Sequence, residues 1–159
     1  MEKIQIRLVE ESDIEALSEV YSKSFSDIDK DKPWAKNYSF KHLMYWLKIQ
    51  PDMFFGAFDK TNKPIGAIAV SIKPWRRNNR CSAGIIFVDV QYQKRDIAKK
   101  LFKIMLEKAV KKYQAVSFEA VTFANKRFPL NWYEKLGIMP DKNAVLIKGN
   151  CKDILRKLS

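Results

Sequence analysis

The sequence predicts a single mixed α/β domain of 159 residues. Short runs of alternating or continuous apolar residues read as strands, and longer runs at helical spacing read as helices. No repeat, low-complexity segment or long linker divides the two kinds of run, so one domain over residues 1–159 is expected.

The elements follow in order. Ile4, Ile6 and Leu8 alternate with Gln5 and Arg7, a half-buried strand. Ser12-Asp13-Ile14-Glu15 fits a capping box, after which Ile14, Leu17, Tyr21 and Phe25 keep helical spacing. Residues 26–37 turn polar, with Asp27, Asp29, Asp31 and Pro33, and read as a loop. Phe40, Leu43, Met44 and Leu47 return to helical spacing until Pro51. Met53–Phe58 and Pro64–Ile72 are strand-like runs joined by turn residues, and Lys73–Arg80 is a second polar break. Ala83–Val90 is a near-continuous apolar strand of the kind covered on both faces.

The clearest helix comes next. Ile97, Leu101, Ile104, Met105, Ala109 and Tyr113 share one face, while Lys99, Lys100, Lys103, Glu107 and Lys111 share the other. Val116–Phe123 reads as a strand. Pro129 suits the first turn of a short helix that Gly137 terminates. Ala144–Lys148 reads as a last strand and Lys152–Leu158 as a terminal helical turn.

Composition narrows the chemistry. Cys81, Cys151 and His42 are too few and too scattered for a zinc site or a disulfide framework, so no metal is expected. His42 reads as a helix-surface residue. There is no apolar stretch of about 18 residues and no signal-like N-terminus, which predicts a soluble, cytoplasmic protein without a membrane partner. The net charge of +12 suits a nucleic acid, an anionic surface or a polyanionic small molecule. None of the nucleic-acid-binding signatures is present, and a nucleic-acid partner is not expected.

The chemistry concentrates at a strand-to-helix junction, Val88-Asp89-Val90-Gln91-Tyr92-Gln93-Lys94-Arg95-Asp96-Ile97-Ala98-Lys99. Helix N-terminal amides lack internal partners and carry partial positive charge, so they form a ready anion site, and the flanking cations add to it. An ordinary connection with a solvated basic face fits the same residues. Downstream, a strand ending in Ala124-Asn125 precedes Trp132-Tyr133-Glu134-Lys135-Leu136-Gly137-Ile138.

Together these segments resemble the GNAT superfamily of acyl-CoA N-acyltransferases. Its Arg/Gln-x-x-Gly-x-Gly/Ala pattern stands here as Gln93-Lys94-Arg95-Asp96-Ile97-Ala98, and its Tyr-Glu-Lys-Leu-Gly-Phe helix as residues 133–138 with Ile138 for the aromatic. The resemblance implies a central, twisted, mostly antiparallel sheet of six to seven strands flanked by about four helices. It implies that Ile86, Phe87 and Val88 meet the pantetheine arm of acetyl-CoA, and that Gln93, Lys94, Arg95, Asp96, Ile97, Ala98 and Lys99 hold its phosphates. Asn125 resembles the residue that bonds the pantetheine, and Tyr133 the general acid that protonates the departing thiolate.

The pattern departs at Asp96, which stands in place of glycine. A carboxylate there is a good N-cap, competes for the phosphate-holding amides and sets negative charge beside a polyanion. Asp is also one of the few residues that tolerate a left-handed backbone.

An amine of pKa near ~10.4 must lose a proton before it attacks. Glu119, in an otherwise apolar run, is the candidate base; an outward-facing glutamate on a solvated face fits equally.

The implied activity is transfer of an acetyl group from acetyl-CoA to a primary amine, on a small molecule or a protein. A non-catalytic CoA-binding domain is the alternative, and a basic nucleic-acid module a more distant one. A homodimer is compatible with the sequence without being required by it. The acidic segment 27–31 beside Trp34 suits a cationic acceptor, whereas Trp75, Arg76, Arg77 and Arg80 suit an acidic one.

Overall fold

A computed structural model describes residues 4–26, 35, 37–124 and 127–158, the side chains of 127 and 128 excepted. The chain forms two compact units, 1–121 and 122–159.

The first unit is built on a five-stranded sheet. Its strands are β1 (Gln5–Leu8), β2 (Phe54–Phe58), β3 (Pro64–Trp75), β4 (Asn78–Val88) and β5 (Ala115–Glu119), in that spatial order. The first four pair antiparallel and β5 joins β4 in parallel. Helices α1 (Ile14–Phe25) and α2 (Tyr38–Ile49) precede β2, and α3 (Ile97–Tyr113) crosses from β4 to β5. This is the mixed, mostly antiparallel sheet that the sequence predicts, with five strands among the described residues instead of six to seven.

One core joins Ile14, Leu17, Val20 and Tyr21 of α1 and Leu43 of α2 to Phe54, Ala67, Ala69, Ile85 and Phe87 of the sheet. The helical spacing of the first set and the period of two within β3 and β4 produce that match. Ile97, Leu101, Met105 and Ala109 of α3 are also fully buried, as their single apolar face requires. Each such Leu or Met, buried, contributes about 2–3 kcal/mol of hydrophobic stabilisation. The far end of α3 is tied down by Asp52, whose carboxylate accepts from Lys112 Nζ at 2.7 Å and from the Tyr113 hydroxyl, with Lys108 Nζ at 3.8 Å.

Several local expectations need correction. The N-terminal cap is set by Asp13, not by Ser12 and Glu15. Asp13 Oδ2 accepts the Glu10 N–H at 2.8 Å, and residues 11–13 form a 3-10 turn before α1. Arg7 draws Asp13 into this place through a two-pronged pair at 2.7 and 2.9 Å.

Lys73–Arg80 is not a break. It continues the ladder to Trp75↔Asn78, with a tight turn at Arg76 and Arg77, and Arg76 has φ 55°. His42 is half-buried rather than on the surface. It stacks on Tyr38 at 5.4 Å and lies 5.6 Å from Tyr21, and burial lowers its pKa.

The second unit holds α4 (Arg127–Lys135) and α5 (Cys151–Leu158). Pro129 lies in the first turn of α4. Gly137, at φ 77°, closes α4 as the N–H of Ile138 reaches the Tyr133 carbonyl at 3.0 Å. Asn150 caps α5, accepting the Lys152 N–H at 2.9 Å. The strand expected at 144–148 does not form. A strand needs a ladder partner, this unit offers none among its described residues, and Val145 and Ile147 are each 85% exposed.

Candidate functional site

The ladder between β4 and β5 is short. It runs from Asn79↔Ala115 to Ser82↔Glu119 and ends there, while β4 continues to Val88. From Ala83 to Val88, β4 is therefore paired with β3 alone and presents an open edge within the first unit. The Asp89 N–H reaches the Ile65 carbonyl on β3 at 2.8 Å. Backbone direction alternates along a strand, so the polar groups of Val88 and Ile86 point to the open side and those of Phe87 toward β3. The Val88 carbonyl accepts there from Ser24 Oγ of α1 at 3.2 Å and from Gln93 Nε2 at 3.1 Å.

A β-bulge lies on the same stretch. Ala69 pairs with Ile85 and Val70 with Ala83, leaving Gly84 as the extra residue. A Cβ at Gly84 would sit 2.3 Å from the Trp46 ring, so only glycine lets the α2 indole lie flat against the bulge.

Beyond β4, Val90–Tyr92 make a 3-10 turn capped by Asp89, whose Oδ1 accepts the Gln91 N–H at 2.9 Å. Lys94 and Asp96 then take left-handed conformations, at φ 61° and 59°. A left-handed N-cap cannot swing its side chain over the first turn, which requires an extended backbone. Accordingly Asp96 makes no side-chain cap hydrogen bond, against the sequence expectation, and only its carbonyl joins the helix, accepting the Lys100 N–H at 2.9 Å.

The N–H groups of Ile97, Ala98 and Lys99 are thus not claimed by the Asp96 carboxylate. Backbone amides at alternating left-handed positions followed by a helix N-terminus make a concave anion site. Ile97, 1% exposed, anchors the helix start, while Gln93, Lys94, Arg95, Asp96 and Lys99 are exposed. The Arg95 guanidinium lies 5.2 Å from the Tyr92 ring centroid, and the Tyr92 hydroxyl reaches Asp59 Oδ2 at 3.4 Å. The turn is thereby braced against the β2–β3 connection.

Glu119 stands on the last rung of the β4–β5 ladder. Its Oε2 pairs with Arg80 Nη1 at 2.8 Å, and the Arg80 guanidinium lies 3.9 Å over the Trp75 ring. The residues that the sequence assigns to the strand edge, the turn and the base therefore lie on β4, in the turn after its C-terminal end and on β5 opposite Ser82.

In the second unit Tyr133 is 7% exposed, its ring meets Trp132 edge to face, and burial raises its pKa. Asn125 lies outside the described residues, as do Asp27, Asp29, Asp31 and Trp34 of the acidic segment. A cavity of about 590 Å³ opens between α1 and α2, lined by Ser22, Lys23, Ser26, Tyr38 and Phe40 among others.

The sequence assigns no role to Ser24, Trp46 or Tyr92, and it offers Arg80 to an acidic acceptor and not as the partner of Glu119. Gly84 inside an apolar strand was a legible sign of a bulge; nothing in the sequence marked Ser24. Among the described residues there is no cluster of metal ligands and no helix long and apolar enough to cross a membrane.

Comparison with known proteins agrees with this geometry. The family model described as the acetyltransferase (GNAT) family matches residues 14–138. Among solved structures, a possible acetyltransferase from Clostridium difficile 630 superposes with TM-score 0.75 at 15% identity, over 92% of this chain and 97% of that one. A chain of the NatC complex bound to Gag peptide and CoA gives 0.68 at 24% identity, over 86% and 84%. An aminoglycoside N-acetyltransferase in complex with CoA gives 0.68 at 16% identity, over 95% and 97%. At these identities the likeness is one of fold. A sequence comparison with curated proteins finds no match.

Proposed function

Because the chain belongs to the acetyltransferase (GNAT) family, we propose that it transfers an acetyl group from acetyl-CoA to a primary amine by direct attack on the thioester. The observation that carries this reading is the open edge of β4 from Ala83 to Val88, continuous with a turn whose helix N-terminal amides the Asp96 carboxylate leaves unclaimed. Ile86 has the N–H and carbonyl, and Val88 the N–H, to pair with a pantetheine amide, and Phe87 lies between them; the Val88 carbonyl is taken by Ser24 and Gln93. Gln93, Lys94, Arg95, Asp96, Ile97, Ala98 and Lys99 form the turn that takes the pyrophosphate. Asn125 is assigned to the pantetheine by resemblance alone.

Acetyl-CoA, when bound, supplies an acyl group already activated as a thioester. The protein's part is to hold it, to take a proton and to give one. Backbone amides on the open edge of β4 are placed to stabilise an oxyanion. Glu119 takes the amine proton, directly or through water, with Arg80 fixing the carboxylate. Tyr133 gives a proton to the leaving sulfur. Its phenol, pushed above the ordinary value by burial, stays protonated at neutral pH, as an acid for a thiolate must.

The test has two parts. Acetyl-CoA titrated into the protein in a calorimeter at near-physiological salt should bind with micromolar affinity; absence of binding in the millimolar range would sink the proposal. Tyr133→Phe should leave that affinity unchanged and lower kcat about 10²-fold. An unaltered kcat would remove Tyr133 from the mechanism. Binding without transfer to any amine would favour the reading as a non-catalytic CoA-binding domain.

A further inference from the structure

We propose that the β3–β4 hairpin is the acceptor platform of this enzyme and that the acceptor is an extended peptide segment bearing acidic side chains. This rests on the acyltransferase reading above. The register sets the platform out. Ser71↔Ser82, Lys73↔Arg80 and Trp75↔Asn78 are partners across the hairpin, and Ser82↔Glu119 is the last rung to β5. Partners share a face, and alternate residues of a strand share a face. Lys73, Trp75, Arg80, Ser82 and Glu119 therefore lie together, on the sheet face opposite Cys81 and Phe118, whose ring meets Phe102 of α3 at 5.0 Å.

The chemistry along this face is graded. At the fork, where β5 leaves β4, stands the carboxylate of Glu119, held by Arg80 at 2.8 Å. That is the end of the open edge farthest from the phosphate turn, so the reacting carbon of an arm running back along β4 arrives there. Beyond the fork the hairpin continues from Ser82 to Asn78 for about 13 Å at ~3.3 Å per residue. Residues 72–82 include Lys73, Arg76, Arg77 and Arg80 and no acid. Lys73 Nζ donates to Ser82 Oγ at 2.9 Å, and no carboxylate among the described residues pairs with Lys73, Arg76 or Arg77. Trp75 is 46% exposed and adds an apolar surface.

An amine placed at Glu119 thus has, within the length of about four extended residues, three cations that no carboxylate among the described residues neutralises. A peptide with acidic side chains following its amine satisfies both ends. A polyamine would meet like charge along the whole hairpin. A nucleic acid fits less well, since Arg80 already covers one face of the Trp75 ring and Glu119 sets negative charge inside the platform.

The experiment is a binding series on the full chain in the presence of CoA. Peptides labelled at the C-terminus, with Asp-rich, neutral or Lys-rich sequences after a free amine, are titrated by fluorescence anisotropy beside a single-stranded oligonucleotide. The Asp-rich peptide should bind about tenfold or more tighter than the neutral one and lose affinity with salt. The Arg76→Gln, Arg77→Gln double variant should lose that about tenfold advantage while its melting temperature and CoA affinity stay those of the parent. Equal binding of the three peptides, preference for the Lys-rich peptide, tighter binding of the oligonucleotide than of the Asp-rich peptide, or an undiminished Asp-rich preference in the double variant would each overturn the inference. Should the double variant misfold, the peptide series on the parent decides alone. Failure to bind CoA would instead strike the acyltransferase reading, which the calorimetric titration tells apart.

Discussion

Ser82 and Glu119 form the last rung between β4 and β5, and past them the two strands no longer share hydrogen bonds. The Glu119 carboxylate at this fork is held from the neighbouring strand by Arg80 Nη1 at 2.8 Å. Glu119→Gln should lower kcat about 10²-fold near neutral pH with no change in acetyl-CoA affinity. The deficit should shrink as pH rises toward the amine's own pKa of about 10.4, because more of the acceptor is then already deprotonated. A pH–kcat profile of parent and variant checks this, and a deficit constant with pH would assign Glu119 a structural role through Arg80.

Asp96 occupies a left-handed position with its carboxylate off the helix amides. Asp96→Gly removes both the cost of a side chain at positive φ and a negative charge beside the anion site. Acetyl-CoA affinity should rise about threefold to tenfold in a calorimetric titration. Asp96→Ala, which removes the charge but keeps the strain, should gain less and should melt at a lower temperature than Asp96→Gly.

Gly84 and Trp46 are in face-to-face contact at the bulge. Gly84→Ala places a methyl 2.3 Å from a rigid ring, and overpacking of this kind costs about 1–3 kcal/mol. At about 2–4 °C per kcal/mol for a chain of this length, thermal unfolding should fall by several degrees. A melting temperature equal to the parent's would show that α2 moves away freely.

The Asp13 carboxyl is held below the ordinary carboxylate range, chiefly by its hydrogen bonds from Arg7. A carboxyl lowered in the folded state stabilises the fold fully above the unfolded pKa of about 3.9, and loses that contribution as pH falls through the lower, folded value. Asp13→Asn should therefore cost about 1–2 kcal/mol at pH 7. In urea unfolding the gap between parent and variant should close as the pH is lowered below the ordinary carboxylate range.

The sequence made α3 and the turn before it legible because each rests on a local rule. A 3.6-residue period from Ile97 to Tyr113 defines the helix, and resemblance to the family's pattern marks the segment from Gln93 to Ala98 as the proposed phosphate-binding turn. It misled at Lys73–Arg80, where charge looked like a loop although alternation across a hairpin keeps Lys73, Arg76 and Arg77 in water and half-buries Arg80 against Trp75 and Glu119. It was silent on Ser24 and on the pairing of Arg80 with Glu119, because these contacts join residues 64 and 39 positions apart in the chain (Ser24 with Val88, Arg80 with Glu119). The strand expected at 144–148 shows the opposite limit. β-propensity names a segment that can pair, and the pairing needs an edge that propensity does not supply.

Asp52 gathers Lys108, Lys112 and Tyr113 at the C-terminal end of α3, and buried Ile97 seats the other end, so the helix is a rod clamped at both ends. A clamped rod cannot slide along its axis to meet a ligand of different length. Any accommodation must come from the short segment 93–96, so small backbone changes there should tune affinity, while substitutions at Asp52 should loosen the whole rod and blur the placement of every group the helix start presents.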